Sequence, residues 1–259
     1  MRRYDWNSLA AKDRVAVLAR PAVDATALQE TVAGIIDRVR SGGDRALQDL
    51  TRQLDGCAPE ALEVSAEAIA EAEQRTSPAL RAAIAEAAGR IEAFHRAGLP
   101  SPVAVETAPG LVCQAKYVPI STVGLYIPGG SAPLISTVLM LALPARLAGC
   151  PEVILCSPPN ANGMIDAAIV YAAAFCGVQR IFRVGGAQAI AAMAYGTETI
   201  PACRKLFGPG NAWVTEAKRQ VSADPGGAAQ DMPAGPSEVM VIANDGADPK
   251  AVCYDLLSQ

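Results

Sequence analysis

The stretch TVGLYIPGGSAPLISTVLMLALPARLAGCPEVILC (residues 122–156) contains one complete strand–helix–strand unit. Its two ends, TVGLYI (122–127) and EVILC (152–156), are short apolar runs of the kind that form buried strands. Residues 134–148 between them form an apolar run that is long enough for a helix. Because parallel strands need a crossover of about this length, the stretch predicts a parallel sheet.

The same alternation continues towards the C-terminus. RIFRV (180–184) and KLF (205–207) are further strand candidates, and helical patterns cover 166–176, 187–195 and 211–221. Strands and helices that alternate at this spacing predict βαβ units. The predicted fold class is therefore α/β, with a doubly wound, mainly parallel sheet of the Rossmann-like type.

Glycine and proline follow every one of these strands. The four loops are PGGSAP (128–133), SPPNANG (157–163), GGAQ (185–188) and GPGN (208–211). In a parallel sheet they lie at one edge, where ligands bind in open α/β folds, and the helix starts offer free N–H groups to phosphate. In any single loop, glycine and proline are explained by their usual occurrence in turns. The four together predict a site for a nucleotide or phosphate ligand, although no G-x-G-x-x-G fingerprint is present.

The regions on either side of this block have other patterns. Residues 1–100 predict helices, with new helices beginning at Asp44, Ser65 and Ser77. Residues 103–120 predict a hairpin that turns at Pro109-Gly110.

Towards the end of the chain, EVMVIA (238–243) predicts a strand, and Asp248-Pro249 begins a helix that continues to Gln259. The predicted division is an N-terminal arm (1–20), an incomplete first α/β domain and a second, Rossmann-like domain (120–234). The first domain combines the N-terminal helical segment with a later piece, 21–119 plus 235–259.

Composition restricts the class of protein. The 259 residues are 51% hydrophobic, and 22 basic and 26 acidic residues are spread along the chain without a basic block. This pattern argues against nucleic acid and against an anionic membrane as partners. The N-terminus lacks the apolar core of a secretory signal, and no apolar run reaches about 18 residues. We expect a cytoplasmic protein.

The seven cysteines are odd in number and widely spaced, and most have apolar neighbours. This pattern predicts reduced, buried thiols instead of a disulfide framework. His95 is the only histidine, so the cysteines have no partner for a Cys–His zinc cluster.

Several long stretches are more specific than these fold signals, and together they closely resemble histidinol dehydrogenase. They are VGLYIPGGSAPLISTVLMLALPARLAGC (123–150), RVGGAQAIAAMAYGTETIP (183–201), FGPGNAWVTEAKRQV (207–221), DMPAGPSEVMVIA (231–243) and the terminal DLLSQ (255–259). DWNSL (5–9), RPAV (20–23) and GDRALQDLTRQLD (43–55) extend the resemblance to nearly the whole chain.

The resemblance implies oxidation of L-histidinol to L-histidine through L-histidinaldehyde, with two hydrides passed to NAD and with zinc bound. Tyr126, Gln188 and Asn211 match the family's NAD contacts, and Ser237 matches a substrate contact. Gln259 matches a residue that ligates zinc and touches substrate. Structural roles remain open for these positions: a buried aromatic for Tyr126, helix caps for Gln188 and Asn211, and a turn hydroxyl for Ser237.

The family's histidine ligand one turn after Gln259, its Glu–His acid–base pair and two further zinc ligands lie beyond residue 259. Family members are homodimers that share active-site residues. An amide oxygen is a weak zinc ligand, and alcohol oxidation needs a base near neutral pH. We therefore expect this chain alone to bind no zinc, to contain no catalytic residue and to lack turnover.

The sequence is also compatible with two alternatives. One is a related zinc-dependent dehydrogenase of another small alcohol, such as a sulfonated diol. The other is a non-catalytic, nucleotide-binding short form, which a native stop codon after Gln259 would indicate.

Overall fold

The computed structural model of the chain describes residues 4–19, 25–57, 59, 61–129, 133–232 and 239–257. The helices are α1 (Ala11–Leu18), α2 (Ala25–Leu54), α3 (Ala66–Arg75), α4 (Pro78–Ala97), α5 (Ile135–Leu147), α6 (Ala167–Phe175), α7 (Gly186–Tyr195), α8 (Ala212–Ala223) and α9 (Pro249–Leu257). The strands are β1 (Val103–Ala108), β2 (Leu111–Ala115), β3 (Thr122–Tyr126), β4 (Glu152–Ser157), β5 (Arg180–Arg183), β6 (Lys205–Phe207) and β7 (Ala229–Gln230).

Five parallel strands form the central sheet in the order β5-β4-β3-β6-β7. The first strand of this sheet along the chain is the central one, β3. The next two, β4 and β5, are added on one side of it, and β6 and β7 are added on the other side. This reversal creates a switch point between β3 and β6, the place where open α/β sheets bind ligands. The predicted parallel sheet is confirmed, and the two-residue β7 was missed because it is too short to show a period.

Helices cover both faces of the sheet, which confirms the doubly wound prediction. On one face α2, α7 and α8 pack together, and on the other α5 and α6 lie against the sheet with α3 and α4 outside them. The largest fully buried side chains come from both layers: Leu47, Phe182, Ile190 and Met193 on the first, and Leu125, Leu139, Leu143 and Leu155 on the second. Each contributes about 1.5–3 kcal/mol by leaving water.

Helix α2 bends at Gly43, where sequence analysis placed the boundary between two helices. Gly43 has φ of 50°, and a Cβ there would lie 2.2 Å from Oε2 of Glu198. That carboxylate accepts a hydrogen bond from the backbone N–H of Asp44 at 2.8 Å. Glycine is required at this position by the left-handed backbone and by the close approach of Glu198.

The hairpin of β1 and β2 is confirmed, with the turn at Pro109-Gly110. Helices α3 and α4 begin as predicted, capped by the hydroxyls of Ser65 and Ser77. Asp248 caps α9 by accepting the N–H of Lys250 at 2.9 Å.

The strand predicted at 238–243 was wrong for the described residues 239–243, which have no regular secondary structure. The apolar pattern of that segment is typical of a strand, but a strand also needs a hydrogen-bonded neighbour. No described strand pairs with it. Ile242 is 92% exposed.

The cysteine prediction is only partly confirmed. All seven cysteines are free, and Cys57, Cys156, Cys176 and Cys203 are buried, whereas Cys113 in the hairpin and Cys253 in α9 are exposed. None of the described helices combines the length and the apolar character that a membrane span requires.

Candidate functional site

A cavity of 750 Å³ lies at the carboxyl ends of the parallel strands. The loops after β3, β4, β5 and β6 all contribute to its wall, as the glycine pattern predicts. Helix α2 closes one side, with Thr31 and Ile35 from its first half and Leu54 from the end of its second half. The remaining wall residues include Tyr126, Gly129, Ser157, Pro158, Asn160, Asp166, Gly186, Gln188, Asn211 and Trp213.

Tyr126, the last residue of β3 and a predicted nucleotide contact, lies in this wall. Its side chain is buried, and its Oη accepts a hydrogen bond from the backbone N–H of Gly186 at 3.0 Å. Burial raises the pKa of Tyr126 to about 12, assisted by the nearby Asp55 and Cys156 and opposed by the Gly186 hydrogen bond. The phenol is therefore neutral at physiological pH, and it joins the end of β3 to the start of α7.

Gln188 is the third residue of α7 and is only 1% exposed. Its Nε2 donates a hydrogen bond to Oδ2 of Asp55 at 3.3 Å, whereas its Oε1 is buried with no partner among the described residues. A buried acceptor without a donor costs about 1–3 kcal/mol. An unpaired carbonyl in the wall of a cavity is suited to a ligand that brings a hydrogen-bond donor. The position is inside α7, so the helix-cap alternative for Gln188 was wrong.

Asn211 caps α8 and lies in the same wall. Its Oδ1 accepts hydrogen bonds from the backbone N–H groups of Trp213 and Val214, both at 3.1 Å. The helix-cap role that sequence analysis left open is therefore confirmed. Because only Oδ1 is used in these contacts, capping and ligand contact are compatible at this residue.

Close contacts between the loops explain the glycines. A Cβ at Gly129 would lie 2.6 Å from Pro158 Cγ, and a Cβ at Gly185 would lie 2.4 Å from Pro158 Cβ. Gly208 has φ of 126°, and a Cβ there would lie 2.1 Å from the carbonyl oxygen of Tyr126. The loops after all four strands can meet around one cavity because these positions carry no side chain.

Asp55 is a wall residue that sequence reasoning missed. It follows α2 directly, and burial raises the pKa of its carboxyl group. The available signal was its place at the end of the stretch 43–55, which carries the family resemblance. Ser157, buried at the end of β4, is a second polar wall residue, and it lies where dinucleotide-binding folds often have an acid.

The wall combines apolar side chains with a few polar groups, two of which are carboxyl groups. Asp55 and Asp166 are its described carboxylates, and Asp166 is engaged by the N–H of Ala168 at 2.8 Å as the cap of α6. Helices α6, α7 and α8 all begin at this edge, and helix N-termini attract phosphate through free N–H groups. Among the described residues, the wall thus offers a buried acceptor, Gln188 Oε1, to a small organic ligand that carries hydroxyl or amide donors.

The other predicted site residues, Ser237 and Gln259, require separate treatment. Ser237 and Gln259 lie outside the described residues, so their placement stays a prediction. Among the residues that the structure describes, no group of three or more His, Cys, Asp or Glu side chains could hold a metal ion. The described residues alone therefore do not fit zinc. His95 lies at the end of α4, edge-on to Phe94 at 5.6 Å between ring centroids.

Comparison with known proteins gives the family. Residues 18–259 match the family model described as histidinol dehydrogenase. The chain is 55% identical over 260 residues to histidinol dehydrogenase of Xanthomonas euvesicatoria pv. vesicatoria (strain 85-10), covering 100% of this chain and 60% of that protein. It is 57% identical over 256 residues to the Escherichia coli O157:H7 protein of the same name, covering 98% of this chain and 58% of the relative.

A solved structure supports the same assignment. The crystal structure of histidinol dehydrogenase from Elizabethkingia anophelis matches with a TM-score of 0.87 and 43% sequence identity, over 96% of this chain and 57% of that one. The chain thus spans about 60% of the length of the relatives it matches. With the fold, the loops and the sequence in agreement, the chain belongs to the histidinol dehydrogenase family.

Proposed function

We propose that the protein to which this chain belongs oxidises L-histidinol to L-histidine through L-histidinaldehyde, the last step of histidine biosynthesis. The observation that carries the proposal is that Tyr126, Gln188 and Asn211 line one cavity at the switch point of the sheet. These residues are far apart in sequence and match the positions of the family's NAD contacts. Relatives at 55% identity bear the name histidinol dehydrogenase.

NAD, which accepts a hydride in each oxidation, is the proposed ligand of the cavity. Gln188 Oε1 accepts a hydrogen bond from a hydroxyl or carboxamide of the cofactor, and Asp55 holds the amide in the orientation that leaves this oxygen free. The Oδ2 atom of Asp55 is an acceptor in this contact, so the Nε2 donor of Gln188 faces it and Oε1 faces away. Tyr126 stays a neutral phenol, which avoids repulsion with the diphosphate. The starts of α7 and α8 supply N–H groups for phosphate oxygens.

Zinc and the acid–base chemistry are proposed to depend on residues outside those described. Ser237 and Gln259 remain the proposed substrate contacts, and Gln259 is also the proposed zinc ligand. A base near neutral pH must take the alcohol proton, and the described cavity wall contains no imidazole. We propose that residues 1–259 alone bind NAD without turnover, and that the complete protein is a cytoplasmic homodimer whose domains follow the predicted division.

The proposal is tested by NADH formation from L-histidinol, followed by absorbance with and without a zinc chelator. We expect the complete protein to form two NADH per histidinol and to lose activity on chelation, and the 259-residue chain to form none. A sulfonated diol serves as the competing substrate. Faster oxidation of that diol than of L-histidinol would contradict the substrate assignment, and turnover by the 259-residue chain with zinc would contradict the division of roles.

A further inference from the structure

A partly buried ion pair lies next to the loop 208–211, and neither of its residues is among the predicted site residues. Lys218 in α8 is 4% exposed, and its ammonium forms a hydrogen-bonded ion pair with Oδ1 of Asp231, just after β7. We infer that Lys218 and Asp231 are positioning residues that set the loop 208–211 against Tyr126 and thereby place Asn211 in the cavity. This inference rests on the proposed NAD site.

The pair holds both backbone groups of Gly208, the first residue of the loop. Lys218 Nζ donates to the carbonyl oxygen of Gly208 at 2.9 Å, and Oδ2 of Asp231 accepts the N–H of Gly208 at 2.9 Å. Asp231 Oδ1 also accepts the N–H of Met232 at 2.9 Å. One residue is thus fixed from two directions, by a cation on its carbonyl and an anion on its amide.

The position of Gly208 matters because a shift of this residue would move both Tyr126 and Asn211 in the cavity wall. It packs on the backbone of Tyr126 so closely that a Cβ would come within 2.1 Å of the Tyr126 carbonyl oxygen. Three residues later Asn211 caps α8, and the same helix brings Lys218 back to Gly208 two turns further on. The hydrogen bond from Lys218 Nζ to the Gly208 carbonyl therefore closes residues 208–218 into a ring, and Asp231 holds the ammonium that closes it.

The chemistry of the Lys218–Asp231 pair is better suited to fixing the position of the loop than to raising the free energy of unfolding. Removing the Lys218 charge from water, and part of the Asp231 charge, is costly, so such a pair contributes little net stability compared with apolar residues of similar size. Burial acts to raise the pKa of Asp231, but hydrogen bonds from Lys218 and from the Gly208 and Met232 amides outweigh it and lower the pKa. The carboxylate therefore stays ionised and keeps its contacts across the physiological range.

The test compares NAD affinity with stability in the 259-residue chain. The variants are Lys218→Met, Asp231→Asn and the double variant Lys218→Met/Asp231→Asn, which removes both charges. Glu216→Gln is the matched control, because Glu216 is also buried on α8 but pairs with Arg219 away from the loop. Calorimetry gives the Kd for NAD, and thermal unfolding gives the stability.

We expect each single variant to raise the Kd for NAD about tenfold or more and to lower the melting temperature. In the double variant no unpaired charge is buried, so stability recovers in part. The Gly208 carbonyl still lacks its donor from residue 218, so the affinity for NAD stays weak. Glu216→Gln lowers the melting temperature without changing the Kd. Recovery of affinity together with stability in the double variant would overturn the positioning role, as would an unchanged Kd in Lys218→Met.

A second readout is independent of NAD. The chain has two tryptophans, and Trp213 lies in the first turn of α8 and in the cavity wall, so Trp6→Phe leaves it as the only tryptophan reporter. In this background we expect Lys218→Met to shift Trp213 fluorescence and to speed amide hydrogen exchange over residues 208–214. Unchanged exchange over these residues would overturn the positioning role, whether or not the wild-type chain binds NAD. Failure of the wild-type chain to bind NAD would count against the proposed function instead.

Discussion

Apolar strand residues occur both in the block from β3 to β7 and in the hairpin of β1 and β2. They are buried in the block and exposed in the hairpin. Leu155 in β4 is 0% exposed, whereas Leu111 in β2 is 57% exposed, and every residue of both hairpin strands is exposed. Strand sequence alone therefore does not determine burial. The strands of the block are covered by helices on both faces, and the two-stranded hairpin has no comparable cover among the described residues.

The difference also explains where polar groups gather. In the block, loops that meet at one edge enclose Gln188, Asp55 and the Lys218–Asp231 pair, so the energetics of this edge depend on hydrogen bonds and charge. In the hairpin the exposed apolar residues contribute little to the stability of the fold. Large exposed apolar surface is more typical of sites that contact other protein surfaces.

The largest effect is expected from matched leucine truncations. Leu155→Ala should cost about 2–5 kcal/mol of unfolding free energy, because it leaves a cavity between the sheet and its helices. Leu111→Ala should change the same quantity by no more than about 0.5 kcal/mol, because its side chain is already in water. Chemical denaturation of both variants measures the difference. Equal losses would show that the hairpin packs in solution in a way that the structure does not contain.

Glycine-to-alanine substitutions should change the free energy of unfolding by a smaller amount, with opposite signs in the cavity wall and on the surface of α4. Gly186 has φ of 63°, and a Cβ there would lie 2.6 Å from Gln188 Oε1. Gly186→Ala should therefore cost about 1–2 kcal/mol and weaken NAD binding. A Cβ at Gly89 in α4 would meet no atom within 4 Å, so Gly89→Ala should stabilise the chain by about 0.5–1 kcal/mol. Chemical denaturation measures both changes, and stabilisation by both substitutions would contradict the strain assigned to Gly186.

The smallest effect is a pH dependence with opposite signs at two carboxylates of the same edge. The pKa of Asp231 is lowered from 3.8, so its contribution to stability is present above that value and is lost as pH falls through the lowered pKa. The pKa of Asp55 is raised from 3.8, so its contribution is present below that value and is lost as pH rises through the raised pKa.

Denaturation at a series of pH values measures both effects. The advantage of the wild type over Asp231→Asn should shrink as the solution is acidified. Relative to Asp55→Asn, the wild type should instead lose stability as pH rises from acid towards neutral. Parallel pH profiles for the two variants would contradict the assigned pKa directions.

Local sequence patterns were sufficient to predict most of the fold. Strand and helix periods located β3 to β6 and α5 to α8, and glycine at the strand ends predicted the edge that holds the cavity. The segment 239–243 was not predicted correctly, because a strand is defined by its neighbour and not by its own pattern. Asp55 was missed although it ends the stretch 43–55 that carries the family resemblance, and no local pattern indicated the Lys218–Asp231 pair. Their roles arise from packing between elements distant in sequence, which no spacing rule contains.

The most direct test of the central claim is calorimetric titration of the chain with NAD, comparing Gln188→Ala with Gln220→Ala. Gln220 lies on α8 outside the cavity wall and bonds the carbonyl of Gln29 at 2.9 Å, so it controls for the loss of a glutamine. We expect saturable binding by the wild type and by Gln220→Ala, with about tenfold or greater weakening in Gln188→Ala, because the free acceptor is lost. Undiminished NAD affinity in Gln188→Ala, or no binding by the wild type, would contradict the assignment of this edge as the nucleotide site.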